Sequence, residues 1–135
     1  MLIVKLRTMA ARSAALGSAL VSAIAVLAGP APVASAEPCS DVELIFARGT
    51  SEPPGIGRVR QALADSLRPQ LGGRTLSTYG INYPATYDFF TAADGAFDAT
   101  GRISYLAQNC PGTQVVLGGY SQGAAIVSML VGLPP

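Results

Sequence analysis

The chain has 135 residues, 50% hydrophobic and 13% charged, with two cysteines, a formal net charge of +1 and no histidine. Without histidine, these residues alone cannot assemble a Ser-His-Asp or Cys-His catalytic set or a His-ligated metal site. Low and balanced charge excludes the usual basic nucleic-acid binder, and high apolar content excludes a disordered chain.

Lys5, Arg7 and Arg12 precede a stretch from Ser13 to Gly29 that carries no charge and is dominated by Ala, Leu, Val and Ile. Pro30 and Pro32 then break any helix, and Ala34-Ser35-Ala36 places small residues at the −3 and −1 positions of a cleavage site. This is the pattern of a secretory signal peptide over residues 1–36, cleaved after Ala36 to leave an extracellular protein without stable membrane insertion. An uncleaved anchor is the alternative, since the uncharged stretch is nearly long enough to span a bilayer. Beyond residue 36 six basic residues face eight acidic ones, a formal charge of −2. In an exported chain Cys39 and Cys110 read as a disulfide more readily than as two free thiols.

Residues 42–47 (Val-Glu-Leu-Ile-Phe-Ala) form a short run that predicts a buried strand opening into the loop Arg48-Gly49-Thr50. Val59, Ala62, Leu63, Ser66 and Leu67 recur at helical spacing, with Arg58, Arg60, Gln61, Asp65 and Arg68 assigned to the opposite, solvated face. Pro69 and Gly72-Gly73 end that helix, and Thr75 to Tyr83 is β-branched, aromatic and extended up to Pro84. A second helix is expected from about Ala92 to Gln108, burying Ile103, Leu106 and Ala107, despite Gly101. Gln114 to Leu117 predicts a third strand, and the chain turns helical again from Ala124. The order β-α-β-α-β-α argues for a parallel sheet in a single domain.

Between the third strand and the last helix lies Gly119-Tyr120-Ser121-Gln122-Gly123, which satisfies G-x-S-x-G. The match gains weight from its context, a buried strand before and an apolar helix after. A serine on so sharp a turn is forced toward strained φ/ψ, and side chains two residues either side would collide, which is the physical reason for both glycines. Such a turn exposes Ser121 Oγ at the carboxyl end of a strand and points the Gln122 N–H toward an oxyanion. A glycine-rich turn with an incidental serine is the alternative.

Three blocks carry a family resemblance: Phe46-Ala47-Arg48-Gly49-Thr50-Ser51-Glu52, Asn82-Tyr83-Pro84-Ala85, and Cys110-Pro111 through Gly118-Gly119-Tyr120-Ser121-Gln122-Gly123-Ala124-Ala125. In this order they resemble the cutinase family, particularly actinobacterial cutinase-like esterases, over Cys39 to about Val131. The resemblance implies a secreted, three-layer α/β-hydrolase-like fold that acts without a lid or cofactor. Its substrates would be cutin-like polyesters, short- to medium-chain lipid esters or acetylated polysaccharides. By position, Ser121 resembles the nucleophile, Gln122 the oxyanion-hole residue after it, and Thr50 the hydroxyl residue that completes the hole. Cys39 and Cys110 resemble a family disulfide.

In this fold the order of the triad is Ser, then Asp, then His. Residues 122–135 contain no Asp, Glu or His. Asp88, Asp94 and Asp98 lie upstream and read as solvated helix or loop residues. The expectation is therefore a sheet incomplete at its carboxyl end, with the nucleophile strand as an open edge and no normal turnover by this chain alone. A separate C-terminal fragment could complement it, or the chain could be a non-catalytic remnant.

Overall fold

A computed structural model describes residues 2–6, 38–55 and 57–132. Within it, strand β2 (Val42–Ala47) shows why an unbroken run suits a central strand. Val42, Leu44 and Phe46 pack on one side with Ala64 and Val116, while Ile45 and Ala47 pack on the other with Ala99, Leu106, Ile126 and Val127. Both faces are covered, so polar alternation has no place here.

Helix α1 (Arg58–Leu67) covers the first face, continues as a 3-10 turn over Arg68–Leu71 and stops at left-handed Gly72. Strand β3 (Leu76–Gly80) pairs parallel with β2, from Val42 against Leu76 to Phe46 against Gly80. Helix α2 (Ala92–Asn109) and helix α3 (Gln122–Val131) cover the second face, with strand β4 (Gln114–Gly119) between them in sequence. Strand β4 runs parallel to the other side of β2, from Val42 against Gln114 to Ala47 against Gly119. The result is the expected three-layer α/β/α arrangement, with β2 central and β3 and β4 flanking it.

Four features of the full chain differ from expectation. The outer edge of β4, expected open once residues 1–36 are removed, is covered while they are present: strand β1 (Leu2–Leu6) pairs with it antiparallel, from Leu2 against Gly119 to Leu6 against Val115. Its Leu-Ile-Val-Lys-Leu sequence has strand propensity, and an unpaired edge is a template for such a segment. The remainder of the signal-peptide assignment, residues 1 and 7–36, lies outside the described residues. Second, Arg60 is not on the solvated face of α1 but 4% exposed, while Ala62 and Ser66 are exposed. The buried stripe runs through Arg60 and Ala64, with Leu63 and Leu67 half-buried, one step round from the apolar pattern. Third, Ala107 is exposed, because Ala99, Leu106 and Cys110 carry the buried line of α2. Fourth, the strand expected over Thr75 to Tyr83 is shorter, because after Gly80 the chain leaves the sheet to bury Ile81, Tyr83 and Ala85.

Cys39 and Cys110 form a disulfide, with their Cα atoms 5.5 Å apart. It fastens the entry to β2 to the end of α2, and closing so long a loop stabilises by about 4 kcal/mol in the chain-entropy picture. Beside it Glu43, buried within β2, receives Arg102 of α2 in a two-pronged ion pair, Nε to Oε1 at 2.6 Å and Nη2 to Oε2 at 2.7 Å. Ser77 donates to the same carboxylate at 3.0 Å, which explains how a charge is tolerated in the central strand.

Candidate active site

The carboxyl ends of β2 and β4 lie side by side, which brings the Arg48–Glu52 loop against the turn after β4. In that turn Gly123 N–H donates to the Tyr120 carbonyl at 2.9 Å. Ser121 sits at the second position with φ 53° and ψ −122°, the geometry of a type II′ turn that glycine normally occupies. Holding a serine there costs on the order of 1–3 kcal/mol and leaves its side chain exposed.

Both flanking glycines are sterically required. A Cβ on Gly119 would lie 2.2 Å from the Gly123 carbonyl oxygen, and a Cβ on Gly123 would lie 2.1 Å from that of Ala47. Crowding on both sides thus matches the expectation from the spacing of the motif.

Gln122 starts α3 and is almost wholly buried at 2% exposure. Its backbone N–H belongs to the first helical turn, where donors have no intrahelical acceptor. Its side chain joins two loops: Oε1 accepts from Thr50 Oγ1 at 3.1 Å, and Nε2 donates to the Thr86 carbonyl at 3.2 Å. Thr50 and Gln122, 72 positions apart in sequence, are thereby brought into direct contact beside Ser121.

The loop carrying Thr50 is braced by Arg48, Glu52 and Tyr83, whose roles emerge only in the fold. Arg48 Nε donates to the Glu52 carbonyl at 2.8 Å and Nη1 to that of Ile81 at 3.3 Å, while Nη2 donates to the Tyr83 carbonyl. The guanidinium also stacks over the Tyr83 ring, 4.8 Å from its centroid. Glu52 Oε2 accepts from the Gly49 N–H at 2.6 Å, and Ser51 N–H donates to the Ala85 carbonyl at 2.7 Å. The Tyr120 ring lies so close over Gly49 that a Cβ there would come within 2.9 Å of it. The signal for this bracing was the Arg-Gly-Thr-Ser-Glu and Asn-Tyr-Pro-Ala blocks, joined where Arg48 stacks on Tyr83 and Tyr83 Oη donates to the Arg48 carbonyl.

Among the described residues Ser121 Oγ makes no hydrogen bond to a base. Asp98 is committed elsewhere, accepting from Tyr79 Oη at 3.0 and 3.1 Å and from the Asn82 N–H at 2.9 Å. Asp88 accepts from the Phe90 N–H at 3.1 Å and caps a short 3-10 turn, while Asp94 lies in the first turn of α2. Tyr87, Phe89 and Phe90 follow Thr86 and are 80%, 59% and 92% exposed, an aromatic rim next to the loop that Gln122 holds. Phe97 on α2 is likewise exposed. No helix among the described residues is long and apolar enough to cross a membrane.

A strained serine between two crowded glycines, at the end of a parallel strand and the start of a helix, defines the α/β-hydrolase-like class. The cutinase family profile matches residues 38–133, and the chain belongs to that family. It is 50% identical over 127 residues to "Phospholipase Culp4" of Mycobacterium tuberculosis H37Rv, covering 93% of this chain and 55% of that protein. Over 122 residues it is 41% identical to "Carboxylesterase Culp1" of the same organism, covering 88% of this chain and 56% of that one. A Trichoderma reesei cutinase solved with a phosphonate inhibitor superposes with a TM-score of 0.63 at 40% identity, over 70% of this chain and 45% of that one. The chain thus spans about half the length of the relatives it matches.

Proposed function

We propose that the chain supplies the nucleophile and the oxyanion hole of a secreted serine carboxylic ester hydrolase. The observation that carries this reading is the strained Ser121 turn with Gln122 bonded to Thr50 beside it. Ser121 Oγ attacks the ester carbonyl carbon, and the carbonyl oxygen takes up the negative charge. The Gln122 and Thr50 backbone N–H groups stabilise that charge, a contribution worth roughly 3 kcal/mol per donor in comparable sites, while the Thr50 hydroxyl fixes the Gln122 side chain. The bond to the alcohol then breaks, leaving acyl-Ser121, which water hydrolyses.

Proton transfer is the missing part. A serine hydroxyl needs a base, these 135 residues hold no histidine, and among the described residues no carboxylate is bonded to Ser121. On this reading the acid and base that serve Ser121 lie outside these 135 residues, in the rest of the family domain. The substrate class is a lipid-like ester, short to medium in chain length. The exposed Tyr87, Phe89 and Phe90 rim favours an apolar acyl chain, and related proteins bear the names phospholipase and carboxylesterase.

Secretion is supported by the leader pattern of residues 1–36, by a disulfide suited to an oxidising compartment, and by a family match that begins at Pro38. The test is co-expression of the 135-residue chain with a polypeptide spanning the rest of the family domain, assayed on a p-nitrophenyl butyrate substrate. Hydrolysis that disappears in Ser121→Ala is the expected result. Hydrolysis unchanged by that substitution would overturn the assignment.

A further inference from the structure

Two guanidinium groups lie buried next to each other's surroundings beneath the loop that carries Thr50, and neither forms an ion pair among the described residues. Arg48, 8% exposed, spends its donors on the neutral carbonyls of Glu52, Ile81 and Tyr83. Arg60, 4% exposed, has neither Nε nor Nη1 bonded to any partner among the described residues. Its head lies on Gly80, where a Cβ would come within 2.1 Å of Nη1, so it fits only because that position lacks a side chain. Both arginines, with Phe46 and Glu52, line a small cavity of about 10 Å³ between the start of α1 and the ends of β2 and β3.

The electrostatic balance of that cavity is positive. Among the described lining residues Glu52 is the only acid, one negative charge against two guanidinium groups, and its Oε2 accepts from the Gly49 N–H at 2.6 Å. Gly57 and Val59 bring the N-terminus of the ten-residue helix α1 to the same wall. That terminus has no acid in its first turn and no side-chain cap, so the positive end of the helix dipole is uncompensated. Desolvation also lowers the Arg60 pKa, which marks the same unpaired burial. Leaving a buried charge without a partner is costly, so an occupant carrying negative charge is favoured over a neutral one. So small a space favours a compact, single-atom anion over a carboxylate or phosphate.

We propose that this cavity is a monatomic-anion site, filled by chloride or bromide held by Arg60 beneath the Arg48–Glu52 loop. The claim is independent of ester hydrolysis, because it concerns folding and ion binding rather than the chemistry at Ser121. Thermal unfolding of the full chain in sodium bromide and in sodium gluconate at equal ionic strength provides the test. Gluconate is far too large to enter.

In about 200 mM bromide the wild-type midpoint should lie about 4 °C or more above that in gluconate, as expected when an ion binds the folded state alone. Arg60→Met should lose that difference and unfold at the same temperature in both salts. Should Arg60→Met fail to fold, anomalous diffraction from wild-type crystals grown in bromide should place a bromide within hydrogen-bond distance of Arg60 Nε or Nη1. Equal midpoints for wild type in the two salts, an undiminished bromide effect in Arg60→Met, or a water in place of bromide in those crystals would each overturn the proposal.

Discussion

Gly119 and Gly123 stand back to back across Ser121, so close that a Cβ on the first would lie 2.2 Å from the carbonyl oxygen of the second. This contact lets β4 turn directly into α3 and holds the serine at φ 53°. Gly119→Ala is expected to destabilise the fold by about 3 kcal/mol, since backbone on the far side cannot retreat as a side chain would. Ser121→Gly should instead raise stability by about 1 kcal/mol, because glycine removes the strain at some cost in chain entropy. Urea unfolding of the variants measures both. A Ser121→Gly protein less stable than wild type would show that the turn is not strained.

Arg102 and Glu43 form the second relationship with a large consequence. Glu43 is 2% exposed and is paired with Arg102. Arg102→Met should cost about 3 kcal/mol, because it strands a buried carboxylate. Combining it with Glu43→Leu should recover much of that loss, since an apolar pair needs no compensation. A double variant no better than Arg102→Met would contradict this reading.

Acid and alkaline limits follow from two other groups. Thr75 donates its backbone N–H and its hydroxyl to Asp41 Oδ2 at 2.7 and 2.8 Å, and these bonds hold the Asp41 carboxyl below its ordinary 3.8. The folded state therefore prefers the charged form. Its stabilising contribution is complete above 3.8 and is lost as pH falls through the lower folded value. In Asp41→Asn, unfolding should depend less steeply on pH below that point. Burial pushes the Tyr83 phenol above its ordinary 10.0, with Arg48 partly opposing the shift. Its contribution is complete below 10.0 and is lost as pH rises through the raised value, an alkaline limb that Tyr83→Phe should remove.

Strand β1 covers the edge of the strand that leads to Ser121. Val4→Pro, opposite Leu117, removes a backbone donor from β1 and should loosen its pairing with β4. Light scattering on the full chain should then show concentration-dependent association, since an exposed parallel-sheet edge invites another strand. A strictly monomeric Val4→Pro protein would contradict that role. The proposed cleavage after Ala36 would remove the same strand and leave the edge to a complementing segment.

Much of this architecture was legible in the sequence because it is written in local chemistry. Hydrophobic runs marked β2 and β4, and the G-x-S-x-G spacing announced the collision between Gly119 and Gly123. What escaped depends on partners distant in sequence. Arg60 looked solvated because its accommodation depends on Gly80 having no side chain, a fact no helical pattern contains. Gln122 could be aligned with an oxyanion position, yet only folding shows its side chain joining Thr50 to Thr86. Strand β1 was hidden because the same short apolar segment suits both a leader and an edge strand.

On the proposed reading Ser121 is the acyl acceptor, and these 135 residues hold no histidine to act as its base. The most direct measurement is mass spectrometry of the full chain after incubation with p-nitrophenyl butyrate, followed by peptide mapping. Without a base, deacylation stalls as acylation slows, so we expect one butyryl group per chain to accumulate on Ser121. Its rate should exceed that at the other serines by about 10³-fold through the oxyanion hole alone. The label should vanish in Ser121→Ala. Acylation spread evenly over other serines, or an equal amount in Ser121→Ala, would contradict the claim.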